Sequence, residues 1–177
     1  MFGFFMALWY RRKIRELEER FEEASEKLTH HVTSVRTLRK EIDTIRPKAE
    51  ALTDEGKLEE AEKYWDFLAE RMTTHARYVK NTYALEFYVV ALKKIIEGLR
   101  YSIENSASDK YTIKRGFTAA EELREFFLDL LFISQRESML RPYRGKELME
   151  EYLSNEVSPR RLEISKLEEG LEELLRS

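Results

Sequence analysis

The sequence predicts an all-α fold: a long antiparallel helical hairpin, at about residues 13–52 and 57–103, with three shorter helices packed on or beside it. Three observations lead there. Helix breakers are scarce, with three Pro and six Gly in 177 residues. Charged residues make up 37% of the chain and are interleaved with Leu and Ala, the composition of long solvated helices. Apolar residues recur at alternating three- and four-residue spacing over most of the length, which is the helical period.

The first helix is read from Ile14, Leu17, Phe21, Ala24, Leu28, His31, Val35, Leu38, Ile42 and Ile45. This is an unbroken heptad seam with His31 as its polar member. Pro47 is expected to kink or end the helix near Arg46. "TDEG", closing on Gly56, signals a turn. The second helix carries the same seam through Leu58, Ala61, Trp65, Leu68, Met72, His75 and Val79. From there "YALEFYVVALKKIIEGL" is apolar on more than one side, as expected of a helix with more than one neighbour. If the turn centres near Glu55, facing residues sum to about 110. Ile42 then faces Leu68, Leu38 faces Met72, Val35 faces His75 and His31 faces Val79.

Residues 104–116 are polar and read as a loop. Thr118 with Glu121 three residues on has the form of a capping box, opening a third helix over 119–140 that Arg141-Pro142 stops. A short helix over 145–154 and a last one over 160–176, started by Ser158-Pro159, complete the chain. Three segments result: an apolar stretch, 1–12; the hairpin with its third helix, 13–140; and acidic helices, 141–177.

Composition excludes several functions. There is no cysteine, hence no disulfide, thiolate chemistry or thiolate zinc site. Dense charge without cysteine fits a cytoplasmic or thermophilic protein. The phosphate-cradling and nucleophile-elbow glycine motifs are absent, so no enzyme, cofactor or metal is expected. Nucleic acid is an unfavoured partner: the net charge is -3, and the basic clusters "YRRKIR" and "RPYRGK" are diluted by glutamates. His31 and His75 read as packed, hydrogen-bonded seam residues, because no acidic residue stands three positions before either to complete a di-iron motif.

The opening "MFGFFMALWYRRK" carries the functional clue. It is too short to span a bilayer, and its cations follow the apolar run instead of preceding it, unlike a secretory signal. As a continuation of the first helix, Phe2, Phe4, Phe5, Met6, Leu8, Trp9 and Tyr10 would surround the axis, and Arg11, Arg12 and Lys13 come next. Acyl-buried residues, then amphipathic rings, then cations is the order of a bilayer interface. The other reading is an apolar segment docked into the core or onto a neighbouring subunit.

This layout resembles the ESCRT-III proteins, including the archaeal cell-division type. "MFGFF" resembles that family's opening, "DEGKLEEAEKYWDFLAE" its turn into the second helix, and "YALEFYVVALKKIIEGL" that helix's apolar stretch. The resemblance covers residues 1–103. It implies a non-enzymatic, self-assembling scaffold, cytoplasmic or peripheral to the membrane, with an anionic membrane surface and its own copies as partners. Three features depart from it: the first helix is only slightly basic, the chain is short, and "EISKLEEGLEELLRS" lacks the Arg-Leu pair of the family's ATPase-recruiting motif. The alternative is a soluble helical subunit of a complex or virus-like shell.

Overall fold

A computed structural model describes residues 2–105, 109–136 and 142–157. Among these residues every element is helical. The chain runs α1 (Phe2–Asp54), α2 (Leu58–Asn105), α3 (Lys110–Arg136) and α4 (Gly145–Tyr152), followed by a π-helical turn, Leu153–Val157. The expected last helix, with its Ser158-Pro159 start, and the stop at Arg141 lie outside the described residues. The chain divides into two compact units, and both long helices contribute to each.

One unit contains α1 from Arg36, α2 up to Ala76, and α4. Its hairpin turn is closed by Gly56 at φ +75°, the left-handed conformation that glycine adopts without a Cβ penalty. The Gly56 N–H donates to Thr53 O at 3.1 Å and the Lys57 N–H to Leu52 O at 2.9 Å, so the ends of α1's last carbonyls are satisfied in a Schellman motif. Ile42, Ala49, Ala61, Trp65 and Leu68 form the core. Ile42 with Leu68 and Ala49 with Ala61 are the pairs that a register near 110 brings together. Leu58, the first expected seam residue of α2, is exposed instead.

Pro47 does not end α1; it lies inside the helix. Proline removes one backbone donor, and the burial of Ala49 and Thr53 beyond it holds the last two turns in place. The Trp65 indole, 2% exposed, donates to Thr53 Oγ1 at 2.9 Å, and Thr53 Oγ1 donates to Ala49 O at 2.7 Å. Thr73 works in the same way, donating to Ala69 O at 2.8 Å while accepting the Tyr143 N–H at 2.9 Å. α4 is seated by Leu148, Met149 and Tyr152 on the core and by the Tyr152 hydroxyl, 3.0 Å from each Asp54 carboxylate oxygen. A Cβ at Gly145 would lie 2.5 Å from the Asp66 backbone nitrogen and 2.7 Å from its Cα. The backbone of α4 therefore approaches α2 too closely for any side chain.

The other unit is a three-helix bundle of α1 up to Val35, α2 from Arg77, and α3. Its core takes Ile14, Leu17 and Ala24 from α1, Tyr88, Leu92, Ile96 and Leu99 from α2, and Ile113 and Ala120 from α3. The capping box at Thr118 is not used. α3 begins at Lys110, eight residues earlier, and the Thr118 hydroxyl donates to Lys114 O within the helix at 3.0 Å. The cap is Asp109, which accepts the Thr112 N–H at 3.0 Å and the Thr112 hydroxyl at 2.5 Å. These two donors hold its carboxyl below the usual aspartate range. Most of the expected 104–116 loop is thus helix, drawn in by burial of Ile113. Gly116 permits the approach of α3 to α2, since a Cβ there would meet Leu99 Cδ2 at 2.5 Å.

Two outcomes follow from the packing around Trp65. Thr53→Val leaves the buried indole N–H unpaired and costs about 1–3 kcal/mol. Adding Trp65→Phe costs less than the sum of the two single changes, as a double-mutant cycle by urea unfolding will read. Gly145→Ala forces α4 off α2, and because Tyr152 lies 5.7 Å from the Trp65 ring, Trp65 fluorescence shifts to the red.

Candidate membrane or subunit contact surface

α1 passes through the apolar opening without interruption from Phe2. An α-helix turns about 100° per residue, so Phe4, Leu8, Phe5 and Trp9 fall across about 140° of circumference while Met6 and Tyr10 lie opposite. Exposure follows that division. Phe4 is 69% exposed, Phe5 67%, Leu8 45% and Trp9 50%, whereas Tyr10 is 6% exposed. Met6 is half-buried and packs on the bundle core beside Tyr10. The segment is therefore not apolar outward on every side, as the sequence alone led us to expect: one stripe closes this chain's own bundle and the other faces out.

Phe117 of α3 anchors the inward stripe. Its ring stacks on Tyr10 at 6.1 Å and meets Trp9 edge-on at 5.9 Å. Trp9 is thereby held at the boundary, with one edge on Phe117 and the rest outward. Lys13 reaches back over the Trp9 ring, 5.9 Å from its centroid. Between Trp9 and Lys13, Arg11 and Arg12 are exposed. Arg12 and Lys13 both approach Glu16, each at 3.4 Å. Exposed pairs of this kind contribute little and leave the cations available to solvent.

The histidines stand apart from this surface. His31 is half-buried, and its Nδ1 lies 2.8 Å from Lys27 O. A carbonyl only accepts, so Nδ1 carries the proton. The His31 ring is tilted against Tyr78 at 5.1 Å, next to the Val79 that the register of 110 places opposite. His75 is half-buried on α2 in the other unit. Among the described residues no three His, Asp or Glu side chains are grouped to hold a metal ion, and no helix is long and apolar enough to cross a membrane.

A second outward apolar face lies on the stretch of α2 that the sequence reads as apolar on more than one side. On α2, Tyr88, Leu92, Ile96 and Leu99 point into the bundle, leaving Tyr83, Phe87 and Val90 exposed at the 4-3 spacing of another seam. Phe126 of α3 joins them, its ring 6.1 Å from Phe87. The thickened apolar pattern of "YALEFYVVALKKIIEGL" held the signal, but only the position of α3 shows which side stays open.

Phe117→Ala removes the ring shared by Trp9 and Tyr10 and costs roughly 2–3 kcal/mol of stability in urea. In the parent protein acrylamide quenches Trp9 and spares Trp65; in the variant the Trp9 fraction becomes more accessible and the Trp65 fraction does not change. No protein-family model, curated protein or solved structure matches this chain, and its function is read from its own residues.

Proposed function

We propose that the chain is a non-enzymatic helical scaffold that binds anionic membrane surfaces through the outward stripe of α1 and assembles with its own copies. One observation carries this reading: four large apolar side chains, Phe4, Phe5, Leu8 and Trp9, share a single outward arc, and Arg11, Arg12 and Lys13 follow within one turn. Phe4, Phe5 and Leu8 would enter the acyl region, Trp9 would sit at headgroup level, and the cations would meet lipid phosphates. The foot needs no unfolding to act, because Met6 and Tyr10 already fix its orientation on the bundle. The exposed seam of Tyr83, Phe87 and Val90, with Phe126 beside it, supports assembly. The ESCRT-III-like order of apolar segment, hairpin and shorter helices is in keeping with both parts. The second reading, a soluble subunit whose outward stripe docks on a neighbour, draws on the same four side chains.

The deciding experiment is liposome flotation of the full chain and of a variant carrying Phe4→Ser, Phe5→Ser and Leu8→Ser, which leaves Met6 and Tyr10 in the core. The parent floats with phosphatidylserine-containing vesicles more strongly than with neutral ones, and Trp9 emission shifts to the blue. The triple variant keeps its circular dichroism and stays in the pellet fraction. Arg11→Gln with Arg12→Gln weakens binding to the anionic vesicles by more than about tenfold. If the parent does not float, and the triple variant turns an oligomer into a monomer, the stripe is a subunit contact and the membrane reading fails.

A further inference from the structure

A groove of about 780 Å³ runs beside the inward stripe, where α1 meets the end of α2 and the start of α3. Its floor is apolar: Met6, Ala7, Tyr10 and Ile14 of α1, with Ile103 of α2. Its rim is mainly cationic: Arg11 and Arg15 of α1, Arg100 of α2 and Lys110 of α3, with Glu18 and Glu104 as the acidic members. Arg100 is ion-paired to Glu18. Among the described residues Arg11, Arg15 and Lys110 have no carboxylate partner within ion-pair distance, so three uncompensated cations face one glutamate, Glu104.

From this arrangement we infer that the groove is a binding site for a single-chain anionic amphiphile, with the acyl chain on the Met6–Ile14 floor and the anionic head between Arg11, Arg15 and Lys110. The size is that of pockets which hold one small ligand. An apolar floor under a cationic rim is complementary to an acyl chain under an anionic head. A zwitterionic head would bring its own ammonium against the three cations, and a free anion would leave the floor wet. The site goes beyond the membrane reading and does not depend on it. Its floor is the inward stripe of α1, and the membrane foot is the outward one.

The test is calorimetric titration of the full chain with decyl phosphate, decylphosphocholine and inorganic phosphate, each amphiphile kept below its micelle concentration. Decyl phosphate binds saturably at one site per chain, decylphosphocholine at least about tenfold more weakly, and inorganic phosphate not at all over the same range. Arg15→Gln with Lys110→Gln, two surface changes that leave the core intact, lowers decyl phosphate affinity about tenfold or more. Ala7→Trp fills the groove and abolishes binding. The variant with serine at positions 4, 5 and 8 binds decyl phosphate like the parent, so loss of flotation and loss of groove binding are separate results. Equal affinity for the two amphiphiles, unchanged affinity after the Arg15 and Lys110 changes, or no saturable uptake overturns the inference.

Discussion

A helix that is apolar around more than one side cannot be covered by a single neighbour, and this constraint shapes the three-helix unit. Tyr88, Leu92, Ile96 and Leu99 of α2 are buried together, which requires both α1 and α3 against the same stretch. α3 reaches that position because Gly116 has no Cβ to strike Leu99 and because Ile113, at its first turn, finds full cover. Once α3 is seated, Phe117 lies within reach of Tyr10 and Trp9, and the N-terminal turns of α1 gain a support. The outward arc of Phe4, Phe5, Leu8 and Trp9 is what three helices leave uncovered. So is the Tyr83–Phe87–Val90 seam.

The other unit solves a different problem, the burial of polar groups at a tight turn. An indole N–H out of reach of water needs an acceptor. Thr53 supplies one without giving up its own bond to Ala49 O, since a hydroxyl both donates and accepts. Thr73 repeats the device for the backbone N–H of Tyr143. In both cases a threonine inside a helix, a residue with modest helix propensity, is retained because it links that helix to another part of the unit. The Arg71 Nε–Glu41 Oε2 pair at 3.1 Å adds a cross-helix tie, with the Arg71 guanidinium stacked over Phe67.

The proposed membrane foot and the proposed amphiphile groove share one short piece of α1. Phe4, Phe5, Leu8 and Trp9 face outward and Met6 and Tyr10 inward, and Arg11, at the edge of the outward arc, also lines the groove. Such a division needs a rigid helix, because a flexible segment of the same composition would bury its aromatics wherever it could. The continuity of α1 into the bundle provides that rigidity, and the ring of Phe117 fixes the rotation about the axis.

Periodicity determined most of the architecture by itself. The 3-4 seam from Ile14 to Ile45, its counterpart from Ala61 to Val79, and the turn at Gly56 define both helices and the register that pairs Ile42 with Leu68. They do so because burial on a hairpin repeats at the helical period and a one-residue slip would expose the seam. The short helix expected over 145–154 forms as α4 and the π-helical turn that follows it. The start of α3 was not legible: Thr118 with Glu121 offered a better local cap than Asp109 with Thr112, and only the burial of Ile113 against α2 decides between them. Pro47 left open where the helix ends, and α1 continues through it to Asp54 because packing contributed from α2 outweighs its local penalty. The N-terminal segment shows the same division. The sequence alone established a short apolar run edged by cations. Which half of that run is spent on the chain's own core and which half remains to meet a lipid or a partner was decided only in the tertiary structure, since it depends on where Phe117 stands in space.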